Sequence, residues 1–195
     1  MWFGLCACVL ATLLAIPSFA AAPTAAGFVA AAIALQNRSV VYDGRYRRIA
    51  YPGGDVPANV GVCADVVVRA YRGIGIDLQK LVHEDMRAHF SAYPKTWGMR
   101  HADANIDHRR VPNLAVFFRR NGKVLKITHD ARNYALGDIV IWNLSARGSL
   151  PHIGIVTGRS NGPRPLVMHN VGGGQVLEDV LFAYEITGHY RYGFP

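Results

Sequence analysis

The sequence predicts a single α+β domain, on three observations. Segments with helical periodicity come first, between residues 24 and 120. From residue 124 onward the chain breaks into short apolar runs separated by Gly, Pro and Asn, the pattern of a small, mostly antiparallel sheet. The composition, with 51% hydrophobic and 17% charged residues in 195, is that of one packed globule.

Residues 1–22 carry no Asp, Glu, Lys or Arg. They read as an export leader, an apolar stretch followed by small residues, with Ser18 and Ala20 in the −3 and −1 positions of a cleavage site. The folded domain is then residues 23–195, periplasmic or secreted, touching the membrane only through its leader. Residues 24–38 are expected as a helix ending near Arg38. Tyr51-Pro52-Gly53-Gly54-Asp55-Val56-Pro57 is a loop, because Pro and Gly punctuate it densely. Residues 63–72 combine two signals. Val66-Val67-Val68 has strand propensity, yet Val62, Val66, Ala70 and Tyr71 share one helical face, and Gly73 and Gly75 make a stop; the helix is the expectation. Residues 78–92 form a clearer helix, with Leu78, Leu81, Val82 and Phe90 at helical spacing before Pro94. Pro112 to Arg120 is a short one closed by Gly122. Strands are expected at 124–128, 138–142, 152–157, 166–170 and 188–192.

The formal net charge is +8, and 17 of the 21 basic residues are Arg. Guanidinium groups grip carboxylates and phosphates with paired bonds, which favours an anionic partner. No basic run is interleaved with aromatics, so nucleic acid is not expected. Gly172-Gly173-Gly174 lacks the Lys-Ser/Thr of a phosphate loop and reads as a turn. His101, Asp103, Asp107 and His108 match no zinc spacing, and neither metal nor cofactor is expected. Asp107-His108-Arg109-Arg110 is the densest charged cluster. It is either a solvated, internally paired loop or a clamp for substrate carboxylates; Arg109 and Arg110, with Asp65, are the substrate-binding candidates.

Once the leader is removed, Cys63 is the only cysteine. A lone thiol in an oxidising compartment is either buried or used. Cys63 opens the expected helix at 63–72, where unpaired amides and the helix dipole favour a thiolate. His152 opens the strand His-Ile-Gly-Ile-Val, and His169 lies 17 residues later in Leu-Val-Met-His-Asn. In a hairpin the two histidines fall on one face, with Asn170 on the other. A thiol, an imidazole base and a third residue that orients the base make a cysteine hydrolase. His169 is the candidate for that third position, with Asn170 as the alternative.

These pieces resemble, in order and spacing, the NlpC-type cell-wall peptidases, a bacterial branch of the papain-like fold. The resemblance runs through Tyr51…Gly53-Gly54, Cys63, Gly75-Ile76-Asp77-Leu78, Gly137-Asp138-Ile139-Val140-Ile141-Trp142, His152-Ile153-Gly154-Ile155 and His169, covering roughly residues 51–170. The chain is similar, closer still, to an uncharacterised bacterial family of that superfamily. The hallmarks of that family resemble Pro52-Gly53-Gly54-Asp55-Val56-Pro57, Asn105-Ile106-Asp107-His108-Arg109-Arg110-Val111-Pro112 and Gly188-His189-Tyr190-Arg191. The resemblance implies a papain-like fold with the nucleophile at a helix N-terminus. It implies Cys63 as nucleophile, His152 as base, His169 as orienting residue and Tyr51 as a tyrosine beside the nucleophile. The flanks depart from it: many members read Asp-Cys-Ser-Gly where this chain reads Val62-Cys63-Ala64-Asp65. The implied activity is thiol hydrolysis of an amide bond, in a cell-wall peptide or another anionic substrate; the changed flanks leave that chemistry intact and put the usual L-alanine–γ-D-glutamate specificity in doubt. The competing expectations are a lipid-directed thiol acyltransferase or hydrolase and a non-catalytic wall-binding module.

Overall fold

The computed structural model describes Met1 and residues 22–160 and 162–194. The leader expected over residues 1–22 lies, apart from its two ends, outside the described residues. Among the described residues the fold is mixed α+β, with four α-helices, a six-stranded antiparallel sheet and a separate two-stranded parallel pair. Helix α1 spans Ala25–Ala34, where Thr24 caps it by accepting the Gly27 amide at 3.0 Å. It stops short of Arg38 because Asn37 turns away to pair with Gln175. Strand β1 (Val41–Tyr42) runs parallel to β2 (Val60–Gly61), which leads directly into α2 (Cys63–Arg72). Helix α3 covers Leu78–Ala88, capped by Asp77, which accepts the amides of Gln79 and Lys80. It ends four residues before the expected boundary, and a single 3₁₀ turn at Phe90–Ala92 takes up the remainder. Helix α4 is Val111–Asn121, with Pro112 in its first turn.

The sheet holds β3 (Lys123–Val124), β4 (Ile139–Asn143), β5 (Pro151–Ser160), β6 (Pro165–His169), β7 (Val176–Glu178) and β8 (Glu185–Arg191). Their order is β3-β8-β4-β5-β6-β7, with every pair antiparallel. Strand β3 (Lys123–Val124) keeps only Val124 of the expected run, and β7 was not expected.

Alternation along the strands builds two cores. Ile139, Ile141, Ile153, Ile155 and Met168 face the helices and pack on α2. Val140, Trp142, Val156 and Val167 face the other way, and Trp142 donates its indole N–H to the Leu181 carbonyl at 2.9 Å. Helix α2 lies at the centre of the first core, with eight of its ten residues buried. Val66, Val67 and Val68 are all buried in it, so their packing in the core overrides the strand propensity of a β-branched run.

Candidate active site

The β1–β2 pairing sets the nucleophile's position. Register places Tyr42 against Gly61, two residues before Cys63. The Tyr42 hydroxyl donates to the Cys63 sulfur at 3.7 Å. The α2 start has an unusual cap. Val62 offers no acceptor, and the Asp65 carboxylate alone reaches back, taking the Val62 amide at 2.7 Å. Cys63 is buried, and burial pushes its thiol pKa up; hydrogen bonds from Tyr42 and from the amides of Ile153 and Ala64 partly oppose that rise.

The Ile153 amide brings the start of β5 to the sulfur. His152 precedes it, and its Nε2 lies 2.9 Å from His169 Nδ1. The two residues are diagonal rather than directly opposed, since the β5–β6 ladder pairs Ile155 with Met168. His169 Nε2 in turn lies 3.1 Å from a Glu178 carboxylate oxygen on β7. This chain fixes the tautomers. A carboxylate only accepts, so His169 Nε2 donates to it. A neutral His169 then offers the Nδ1 lone pair, His152 Nε2–H donates to it, and His152 Nδ1 is left with a free lone pair. Burial, then His169, hold the His152 pKa down to about 3, and burial lowers His169 against the pull of Glu178. The resting state at neutral pH is therefore a thiol and two uncharged imidazoles.

Glycine at position 154 lets the histidines close together: a Cβ there would stand 2.6 Å from Val167 Cγ1 and 3.2 Å from His169 Cβ. Alternation sends Ile153, with Cys63, to the helix face and the His152 ring to the opposite face, 5.7 Å from the Trp142 ring. His152 is the second residue of β5, but the Cys63 sulfur takes its hydrogen bonds from Tyr42 and from the amides of Ile153 and Ala64, and the expected Cys63–His152 hydrogen bond is not formed.

The other expected site residues are distributed differently. Tyr51 is exposed and packs on His83, with ring centroids 5.2 Å apart; Tyr42 takes the place beside the thiol. Asn170 is buried and donates to the Gly61 carbonyl at 3.4 Å, tying β6 to β2, so His169 is the residue that contacts His152. The 107–110 cluster is not a solvated loop. Asp107, His108 and Arg109 are buried in a 3₁₀ turn, and Asp107 meets His83 at 3.5 Å. Arg109 and Asp65 are bonded to each other at 2.8 and 2.9 Å and buried together, which assigns both to the framework. Arg110 alone of that pair of arginines keeps its guanidinium clear of a carboxylate. Asp138 is likewise structural, accepting from His189, Arg191 and the Ala135 amide. Sequence reasoning missed Tyr42 and Glu178. The β-branched pair Val40-Val41 before Tyr42 hinted at a strand there; nothing local marked the second.

A cavity of about 370 Å³ opens beside Cys63, walled by Tyr42, Tyr46, Trp97, Arg109, Arg110 and Pro151. Among the described residues, no group of three or more His, Cys, Asp or Glu side chains is arranged to hold a metal ion, and no helix is long and apolar enough to cross a membrane.

The model of a family described as a domain of unknown function, DUF1287, matches residues 29–192. The chain belongs to that family. The match begins within α1 and takes in every later helix and strand given above and all of the residues around Cys63. Among curated proteins, a relative is the Escherichia coli (strain K12) protein described as "Uncharacterized protein YijF", 50% identical over 155 residues, which is 79% of this chain and 75% of the relative. No solved structure matches the chain.

Proposed function

We propose that this DUF1287 protein is an exported papain-like thiol hydrolase that cleaves an amide or peptide bond, in cell-wall peptidoglycan by preference. The observation that carries the reading is the polar chain from Glu178 through His169 to His152, ending in an unprotonated Nδ1, together with a thiol at a helix start that is bonded to the backbone of Ile153, the residue after His152. In the proposed reaction the Cys63 sulfur attacks the carbonyl carbon while its proton passes to His152 Nδ1. The carbonyl oxygen takes the negative charge, with the Cys63 amide and the Tyr42 hydroxyl as donors. Collapse of the adduct expels the amine, which takes the proton from His152 and leaves a thioester. Water, deprotonated by His152, then releases the acid and restores the thiol. The wall substrate rests on the resemblance to NlpC-type peptidases and on the basic surface.

The test is to incubate muropeptides with mature wild-type protein and with Cys63→Ala. Cleavage abolished in the variant is expected, and product masses identify the bond. The thiol–imidazole pairing is tested separately by the pH profile of Cys63 alkylation with iodoacetamide. A profile unchanged by His152→Ala would break the pairing.

A further inference from the structure

Arg109 and Arg110 are neighbours with opposite fates. Arg109 is committed to Asp65 and to the carbonyls of Asp43 and Arg45. Arg110 walls the Cys63 cavity, and among the described residues no carboxylate lies within 4.0 Å of it. Its guanidinium sits 4.4 Å from the Trp97 ring centroid and bonds only the Met99 thioether, a poor acceptor for a cation. The nearby acids are engaged elsewhere: Asp103 accepts from Tyr46 and Asn105, and Asp107 from the Asp103 amide. Burial weakens Arg110's hold on its proton, while those acids oppose this from a distance. A half-buried cation without a counter-charge is costly, and a ligand anion removes the cost. Trp97 adopts the left-handed conformation, φ 63°, and stays exposed while it stacks on the guanidinium. Such backbone is retained where its surroundings hold it in place.

We propose that Arg110 and Trp97 form an anion subsite of the Cys63 cavity that takes a carboxylate carried by the substrate beside its scissile bond. A planar guanidinium with one face covered by indole and Nη1 on Met99 keeps its Nε and Nη2 donors free, an edge that suits a planar carboxylate bound by two bonds. The proposal rests on the thiol-hydrolase reading, and it narrows the substrate to acids.

The experiment follows alkylation of Cys63 by iodoacetamide with glutarate or its neutral isostere glutaramide as competitor, each rate normalised to the same protein without competitor. Glutarate is expected to protect the wild type several-fold and glutaramide not at all. In Arg110→Gln the half-protecting glutarate concentration rises roughly tenfold, the effect of losing one charge-assisted contact. Arg110→Lys recovers part of it. Trp97→Ala, at an exposed position, weakens protection as well and serves if Arg110→Gln fails to fold. Equal protection by glutarate and glutaramide overturns the subsite, as does unchanged protection in both variants. Stronger protection by inorganic phosphate than by glutarate overturns the carboxylate assignment. Should iodoacetamide leave folded Cys63 unmodified, the hydrolase reading fails by itself. The subsite is then judged by thermal shift: glutarate raises the melting temperature of wild type but not of Arg110→Gln if it exists, and raises neither if it does not.

Discussion

Replacing Arg109 by Met should unfold the site from beneath while leaving the reacting groups untouched. Arg109 makes a two-bond ion pair with Asp65, Nε to Oδ1 at 2.8 Å and Nη2 to Oδ2 at 2.9 Å, and donates to the carbonyls of Asp43 at 3.0 Å and Arg45 at 3.2 Å. Both side chains are almost sealed from solvent, at 2% and 3% exposure. Methionine fills much of the volume but leaves the Asp65 charge buried without its partner, which costs about 3–5 kcal/mol. For a domain of this size that lowers the melting temperature by about 6–20 °C. Asp65 also caps α2, and the segment after Tyr42 is held through Asp43 and Arg45, so the loss spreads to the thiol's surroundings. Urea titration with wild type, Arg109→Met, Asp65→Asn and the double variant measures the stability loss and the coupling. The coupling is expected to exceed about 2 kcal/mol, toward the upper part of the range for residues in contact. An unfolding midpoint unmoved by Arg109→Met, alongside lost substrate binding, would refute this reasoning and return Arg109 to the substrate.

Three further outcomes follow from the same geometry. His169→Ala removes the group that orients His152, and turnover should fall by about 10²- to 10⁴-fold while Cys63 remains alkylatable; steady-state kinetics on whichever wall fragment is cleaved decides it, and Glu178→Leu should show a smaller loss in the same direction. Gly154→Ala forces Val167 and His169 apart, with an expected stability loss of about 1–3 kcal/mol and weaker turnover; a thermally neutral, fully active variant would contradict the close approach at that glycine. Acid lability is the third. Burial lowers His152 to about 3 and His108 to about 4, both below the unfolded value of about 6.5. The unfolded chain therefore binds more protons than the folded one below pH 6.5, so stability is lost as pH falls from about 6.5 toward 4, by up to about 1.4 kcal/mol per unit for each histidine. The lowered carboxylates, such as Asp138, act in a separate window below about pH 4. Urea midpoints flat between pH 6.5 and 4.5 would argue against neutral buried imidazoles.

Much of the framework and the central part of the site were legible locally. Gly and Pro bound the segments, and the 3.6- and 2-residue periods separated the helices from the sheet. The same alternation placed His152 and His169 on one face and Asn170 on the other, and the stop at Gly73 made Cys63 a helix start. These readings depend on neighbours a few residues away, where spacing alone fixes direction. Other features depended on which distant segments meet. Tyr42 rather than Tyr51 reaches the thiol because β1 pairs beside β2. Glu178 reaches His169 because a short, weakly marked strand adds to the sheet edge. Arg109 and Arg110 are equivalent as sequence, yet the 3₁₀ turn at Asp107–Arg109 directs one into Asp65 and leaves the other over Trp97. Periodicity orients a side chain relative to its own element; only tertiary packing supplies the partner that makes one arginine a framework ion and its neighbour a free cation on the cavity wall.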